Sequence, residues 1–176
     1  MGSLEQVVEG RVWKLGDSID TNQLAGGGLQ GGDPASTLRI NCLRGLRPDF
    51  TDQVAPGDIV VAGTNFGCGS SRQTAVEALQ LCGVVAVLAD TVAGIFRRNS
   101  IALALPTFAV PGVSGLVEDG EVLRVDYPAR VVVNVTTGAR GELASLPASV
   151  EAIYRAGGLR QVILARLAAQ GIAPAP

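Results

Sequence analysis

The chain has 176 residues, of which 47% are hydrophobic and 17% are charged, so it can bury one sizeable core and we expect a single domain over residues 1–176. Its formal net charge of −2 provides no general attraction for nucleic acid or anionic membranes, and we expect neither partner. No apolar run approaches the ~18 residues of a membrane span, and the N-terminus lacks a signal-peptide pattern, so a cytoplasmic protein is expected.

Side chains that could hold a metal are scarce. The chain has no histidine, and its three cysteines, Cys42, Cys68 and Cys82, form no CxxC pair. The odd number disfavours a disulfide framework, and we expect reduced thiols. We therefore predict no zinc site, no cysteine-ligated cluster and no Ser-His-Asp triad within this chain. Any metal is expected to come from a partner.

The N-terminal third combines a strand pattern with a glycine-rich segment. Residues 10–21 read as a strand that leads into a turn at Gly16-Asp17. Ala25 to Pro34 contains five glycines, which predicts a mobile loop because glycine-rich backbone does not hold one conformation by itself. The region from there to Pro56 is polar and weakly periodic, and no element is predicted in it.

The middle of the chain reads as strand, glycine-rich turn, helix and strand. Residues 58–63 predict a short buried strand, residues 73–82 a helix that ends at Gly83, and residues 84–89 a second buried strand. Two buried strands joined by a helix indicate a parallel crossover. A helix-like stretch over residues 92–99 and an apolar segment up to Pro106 follow.

The C-terminal part has a different pattern. Residues 120–138 contain short alternating strands separated by turn residues, which predicts a hairpin or meander. Residues 149–169 have helical periodicity interrupted at Gly157-Gly158, which predicts two helical pieces.

The turn TNFGCGSSR carries the strongest chemical signal. Gly67, Gly69, Ser70 and Ser71 stand where a strand ends and a helix begins, so several backbone N–H groups can point at one anion such as a carboxylate. Arg72 adds a planar donor group suited to a carboxylate. The turn matches neither a Walker loop nor GxGxxG. From spacing alone, an ordinary helix start with a solvent-facing arginine is an equal alternative.

Residues 63–106, GTNFGCGSSRQTAVEALQLCGVVAVLADTVAGIFRRNSIALALP, resemble the swivel domain of aconitases and the small subunit of 3-isopropylmalate dehydratases. Outside this run, GDSIDTNQL resembles the N-terminal GDxIxTD motif of the family, and YRAGGLRQVILARL is similar to its C-terminal helix. The resemblance implies an α/β fold, namely a swivelling β/β/α three-layer domain with a parallel sheet core and a smaller antiparallel sheet.

The resemblance also implies a function. The chain would be the small subunit of a hydro-lyase, inactive alone, that dehydrates and rehydrates a 2-hydroxy di- or tricarboxylic acid, with 3-isopropylmalate in leucine biosynthesis as the first expectation. It would close over a [4Fe–4S] cluster held by a separate large subunit. Related small subunits for citraconate, dimethylmaleate or a (homo)aconitate-type substrate stay open as alternatives, as does a non-catalytic anion-binding swivel domain.

Residue roles follow from the same resemblance. Ser70 matches the base that removes the proton alpha to a carboxylate, and Arg72 matches a residue that binds a substrate carboxylate. The other residues expected to contact the substrate are Gly69, Ser71, Thr21, Asn22, Leu29 and Gln30. Residues expected to support the site are Asn65, Cys68, Gln73 and Asn99.

Two positions depart from the family pattern. Asn22 stands where the family has the aspartate of TD, and Gln73 stands where it has the glutamate of SSREH. We hypothesise a more positive pocket tuned to a different anion; equally, the amides could keep the same hydrogen-bond geometry and change little. The glycine-rich loop lacks the family's tyrosine and basic residue, and only Leu29 and Gln30 stand out in it. The sequence therefore leaves the substrate's distal substituent open.

Overall fold

The computed structural model describes residues 4, 6–26 and 33–172. Seven strands form one sheet in the order β4-β3-β2-β1-β5-β6-β7. The strands are β1 (Val7–Lys14), β2 (Ile59–Ala62), β3 (Ala86–Ala89), β4 (Thr107–Ala109), β5 (Val122–Asp126), β6 (Val131–Asn134) and β7 (Arg140–Glu142). The helices are α1 (Thr21–Ala25), α2 (Pro34–Asn41), α3 (Phe50–Gln53), α4 (Thr74–Leu81), α5 (Gly94–Ala102), α6 (Ala148–Ala156) and α7 (Leu159–Ala169).

The sheet has a parallel part and an antiparallel part that share β1. Strands β1 to β4 are parallel neighbours. On its other side β1 pairs with β5 in antiparallel fashion, and β5, β6 and β7 continue as a meander. The predicted parallel crossover and the predicted meander are both confirmed, and so is the α/β fold with a parallel core and a smaller antiparallel sheet.

The two faces of the parallel strands are buried by different partners. Val60 and Val87 belong to a core cluster with Trp13 and the apolar side chains of α1, α2, α4 and α5. Their neighbours on the same strands, such as Val61 and Leu88, belong to a second cluster with the apolar side chains of β5 and β6. Because successive strand residues point to opposite faces, the chain forms three layers, with the parallel strands in the middle.

Helices occur where the sequence analysis predicted none. The strand and turn predicted over residues 10–21 is followed directly by α1, and the polar region before Pro56 contains α2 and α3. Only Leu38 of α2 is buried, so the helix lacks a clear apolar stripe. The sequence features that indicate α2 are at its start instead. Asp33 caps the helix by accepting from the Ser36 N–H at 2.9 Å, and Pro34 occupies its first turn.

The later elements agree more closely with the prediction. Helix α5 continues to Ala102, into the predicted apolar segment, and β4 begins after Pro106. Helices α6 and α7 are separated at Gly157, which has a φ of 79°, as expected from the Gly157-Gly158 interruption. No helix in residues 4, 6–26 and 33–172 is long and apolar enough to cross a membrane.

Candidate active site

Residues 63–73, called the GSSR loop below, lie between β2 and α4 at the carboxyl edge of the parallel strands, where α/β proteins commonly place their ligand sites. It is joined to the segment after β1 by parallel bridge contacts between Asp20 and Cys68. The Gly67 N–H donates to the Ile19 carbonyl at 2.8 Å, and the Thr21 N–H donates to the Cys68 carbonyl at 3.0 Å. Two of the three motifs that carried the resemblance, GDSIDTNQL and the run that contains GSSR, are therefore adjacent in space.

Gly67 sets the close approach of the loop to α5. Its φ is 76°, and a Cβ at this position would lie 2.3 Å from the ring of Phe96. Phe96 is fully buried and stacks edge-on against Phe66, with ring centroids 5.1 Å apart. A side chain at position 67 would meet both an unfavourable backbone conformation and a ring that cannot move freely.

Gly67→Ala should therefore lower the free energy of unfolding by about 2–4 kcal/mol, because it combines backbone strain with overpacking. Gly69→Ala is the matched control: its φ is 92°, but its Cβ would lie 3.4 Å from the nearest atom, Thr21 Oγ1. That variant should lose roughly 1 kcal/mol. Urea denaturation of both variants measures the difference, and equal losses would contradict the role given to Phe96.

Thr21 fixes the position of Ser70. Thr21 is only 1% exposed, and its hydroxyl oxygen accepts the Ser70 N–H at 3.1 Å. The same oxygen lies 3.0 Å from the Ser70 hydroxyl oxygen. Since Thr21 Oγ1 is the acceptor in the first contact, its own proton can be donated to Ser70 Oγ in the second. Thr21 thus lies beneath the half-buried Ser70 and is placed to hold it.

A capping box holds α1, and with it Thr21, in place. The Asp20 carboxylate accepts from the backbone N–H groups of Asn22 at 2.7 Å and Gln23 at 2.9 Å, and the Gln23 side chain accepts from the Asp20 N–H at 2.8 Å. The sequence analysis missed this feature, although the spacing Asp-x-x-Gln is its signal. Asn22 follows Thr21 in the helix and is exposed.

The supporting residues link the loop to neighbouring segments. Asn99 of α5 donates from Nδ2 to the Ser71 carbonyl at 3.0 Å, which joins α5 to the loop. Asn65 has a φ of 60°, and its N–H donates to the Thr91 hydroxyl at 2.7 Å. The Cys68 thiol donates to the Ser18 carbonyl at 3.6 Å. Thr91 and Ser18 were not singled out in the sequence, and no pattern in it marks them.

Arg72 and Gln73 differ in how they are held. Gln73 donates from Nε2 to the Glu77 carboxylate at 3.2 Å, one turn further along α4. Arg72 is exposed, and among the residues that the structure describes its guanidinium has neither a hydrogen bond nor an ion pair. The Arg72 donors are therefore available to a ligand. The described contacts do not bring Asn22 and Gln73 together.

Two expected site residues, Leu29 and Gln30, lie outside the described residues. Only the ends of the glycine-rich segment are described, with Ala25 closing α1 and Asp33 capping α2.

The donor set of this chain does not match a cubane iron–sulfur cluster, which needs several thiolates close together. Cys42 and Cys82 are buried in the core, whereas Cys68 is in the loop. Within the described ranges, no group of three or more histidine, cysteine, aspartate or glutamate side chains could hold a metal. The described residues therefore offer no ligand set for a cluster, and the resemblance itself implies a cluster held by a separate large subunit.

Comparison with known proteins identifies the family to which the chain is related. Residues 47–111 match the aconitase C-terminal domain family. The 3-isopropylmalate dehydratase small subunit of Heliobacterium modesticaldum is 40% identical over 90% of this chain and 96% of its own length. The isopropylmalate/citramalate isomerase small subunit of Methanocaldococcus jannaschii is 36% identical over 94% of this chain and 98% of its own. The methanogen homoaconitase small subunit of Methanothermobacter thermautotrophicus is 36% identical over 89% of this chain and 90% of its own.

A solved structure agrees with the fold. The crystal structure of 3-isopropylmalate dehydratase from Methanocaldococcus jannaschii superposes with a TM-score of 0.86 at 33% identity, covering 94% of this chain and 98% of that one. Sequence, fold and the adjacency of the two motifs agree: the chain belongs to the 3-isopropylmalate dehydratase small-subunit family of aconitase-type hydro-lyases.

Proposed function

We propose that this chain is the small subunit of a cytoplasmic 3-isopropylmalate dehydratase-type hydro-lyase and that it supplies the base and a carboxylate anchor. A large subunit would carry the [4Fe–4S] cluster, since the described residues here do not fit one. The observation that carries the proposal is the pair formed by Ser70 and the buried Thr21 hydroxyl, 3.0 Å apart. Two positions further along the same loop is the exposed Arg72, whose guanidinium has no partner among the described residues.

Ser70 acts as the base that takes the proton alpha to a substrate carboxylate. A serine hydroxyl has a pKa far above 7, so the site must stabilise negative charge on Ser70 Oγ. The Thr21 hydroxyl can donate to that oxygen, and the amino end of α4 and the positive charge of Arg72, which follow Ser70 in the chain, would favour an anion bound at this loop. Exclusion of water on closure against the large subunit strengthens each of these interactions.

Arg72 anchors a carboxylate of the substrate. Its planar guanidinium can donate two parallel hydrogen bonds to the two carboxylate oxygens, which fixes both distance and orientation. The Asn99 contact to the Ser71 carbonyl at 3.0 Å holds the backbone just before Arg72. The anchor and the base thus belong to one loop, which Asn99 holds at the residue between them.

Thr21→Val should lower kcat about 10- to 100-fold, because it removes the donor to Ser70 Oγ and leaves the Ser70 N–H without its acceptor. Thr21→Ser keeps the hydroxyl and should restore most of the activity. Steady-state kinetics of the assembled enzyme measure the effect, and thermal melting of both variants separates it from loss of folding. A Thr21→Ser variant as impaired as Thr21→Val would contradict the role of the hydroxyl.

The substrate is a 2-hydroxy acid or its alkene, with isopropylmaleate as the first candidate. Relatives at similar identity are named for isopropylmalate, for isopropylmalate and citramalate, and for homoaconitate, so identity alone does not select among them. Leu29 and Gln30, with no basic residue in their segment, favour a small or apolar distal group over a second distal carboxylate.

Asn22→Asp and Gln73→Glu should each change the ratio of two kcat/KM values. One is for a substrate whose distal group is a carboxylate, and the other is for a substrate whose distal group is apolar. The two substitutions would add a negative charge in different surroundings. A carboxylate at position 73 would face Glu77, its present partner at 3.2 Å, whereas Asn22 is exposed on α1. Ratios identical to those of the unaltered enzyme in both variants would support the alternative that the amides only preserve geometry.

The proposed function is tested by anaerobic co-expression with the candidate large subunit and an absorbance assay of alkene hydration. The substrates are isopropylmaleate, citraconate, dimethylmaleate and cis-aconitate. Hydration that needs both subunits would establish the activity and identify the substrate class. A well-assembled complex that binds these acids without hydrating them would favour the non-catalytic anion-binding alternative.

A further inference from the structure

A cavity of about 430 Å³ lies between the turn that joins β5 to β6, the segment after β7 and helix α6. Its walls include the apolar side chains of Phe108, Leu143 and Leu146, and Tyr127 and Arg130 contribute polar groups to it. A concave site with apolar walls and a few polar groups, roughly 300–1,000 Å³ in volume, is typical of pockets that bind small molecules.

The cavity is at the opposite edge of the sheet from the GSSR loop. In the pairing of β1 with β5, Asp126 at the end of β5 lies opposite Val7 at the start of β1, so Tyr127 follows at the amino edge of the parallel strands. The GSSR loop follows the carboxyl end of β2, which is parallel to β1. Residues 63–73 are all described, and none of them lines the cavity. The cavity is therefore separate from the candidate active site.

The Tyr127 hydroxyl is a buried polar group without a partner. Tyr127 is 6% exposed, and its ring packs against that of Phe108 with the ring centroids 5.9 Å apart. Within the described part of the chain its hydroxyl has no hydrogen bond, whereas the other buried tyrosine, Tyr154, donates to the Leu105 carbonyl at 3.3 Å. An unpaired buried hydroxyl is unfavourable because it has lost its hydrogen bonds to water. Burial also raises the pKa of Tyr127, so this hydroxyl keeps its proton at neutral pH and can donate to an anion.

Arg130 brings a positive charge to the same cavity. It is exposed, and its guanidinium has neither a hydrogen bond nor an ion pair with any residue that the structure describes. Its backbone is held on both sides, because its N–H donates to the Tyr127 carbonyl at 3.2 Å and its carbonyl accepts from the Leu143 N–H at 2.9 Å. The other arginine of the cavity, Arg155, pairs with Glu151 at 3.5 Å. The charge of Arg130 is therefore the one that an anionic ligand would balance.

We propose that this cavity binds a small monocarboxylate with a branched apolar tail. The carboxylate accepts hydrogen bonds from the Tyr127 hydroxyl and the Arg130 guanidinium. The tail packs against Phe108, Leu143 and Leu146. A dicarboxylate fits less well, because its second charge would be buried against apolar side chains. The inference does not rest on the proposed function, since none of these residues belongs to the GSSR loop.

Isothermal titration of the full-length chain with 4-methylpentanoate tests the proposal, and 4-methylpentanamide is the matched neutral probe. We expect the acid to bind with a Kd of about 0.1–1 mM, as suits a ligand of this size. The amide should bind about ten-fold more weakly, because it offers no negative charge to Arg130. In NMR spectra of the unaltered chain, the acid should shift the signals of residues 127–131 and 143–146 and leave those of residues 63–73 unchanged.

Three variants assign the contacts. Tyr127→Phe should weaken binding of the acid about five- to ten-fold without lowering the melting temperature of the unliganded chain, because the hydroxyl that it removes has no partner there. Arg130→Gln should weaken binding of the acid about ten-fold and leave binding of the amide unchanged. Arg72→Gln should bind both probes as the unaltered chain does, since Arg72 is in the GSSR loop.

Three results would overturn the inference. Loss of binding in Arg72→Gln, with Arg130→Gln unaffected, would place the acid at the candidate active site. Equal affinities for the acid and the amide would show that no cation recognises the carboxylate. An absence of heat and of shifted signals with the acid would leave the Tyr127 hydroxyl to water. The NMR mapping uses the unaltered chain, so it decides the matter even if a variant folds poorly.

Discussion

Ser70→Ala should lower kcat of the assembled enzyme by about 10²- to 10⁴-fold while KM changes only a few-fold, because a general base acts on the transition state more than on the bound substrate. The loop should keep its shape, since the Ser70 backbone N–H that bonds to Thr21 at 3.1 Å is present in both residues. The loss would therefore report on the hydroxyl oxygen alone. Kinetics on the substrate that the co-expressed enzyme hydrates measures it.

The matched control for this variant is Ser71→Ala. Ser71 contacts Asn99 through its backbone carbonyl, so truncating its side chain leaves the brace intact and should cost less than Ser70→Ala. Thermal melting of the isolated chain should be the same for both variants within about 2 °C, because neither residue is fully buried. Comparable activity losses at the two serines would contradict the assignment of the base to Ser70.

Patterns of local sequence predicted most of the sheet. The buried runs that became β2 and β3, with the helix between them, required a parallel crossover, and the alternating residues after Gly120 required a meander. Short polar helices were missed because their stability comes from caps and packing rather than from an apolar stripe. Helix α1 depends on the Asp20 capping box, and α2 on the Asp33 cap with Pro34.

The sequence proposed residues for the candidate site but gave no indication of how they contact one another. The sequence pattern predicted a helix that begins after the GSSR run, and the family resemblance indicated roles for Ser70 and Arg72. No pattern indicated that Thr21, 49 positions earlier in the chain, lies beneath Ser70, because this contact depends on the pairing of the segments after β1 and β2.

Arg72→Gln should lower kcat/KM of the assembled enzyme about 10³-fold, mostly through KM, because the amide can neither carry the charge nor form the paired hydrogen bonds to a carboxylate. Arg72→Lys keeps the charge but loses the planar donor pair and should fall between, at roughly 10- to 100-fold. Folding should be unaffected, since Arg72 is exposed and the described residues give it no partner to lose. Melting curves of both variants should overlay that of the unaltered chain.

The control for charge alone is Arg140→Gln, which removes one exposed arginine on β7, in the antiparallel part of the sheet away from the loop. It should change kcat/KM by less than about two-fold, since an exposed charge at such a distance is largely screened by salt. If Arg72→Gln lowered kcat and left KM unchanged, Arg72 would act on the transition state instead of anchoring the bound acid. If Arg72→Lys matched the unaltered enzyme, a point charge would suffice, and the bidentate geometry proposed for the anchor would be wrong.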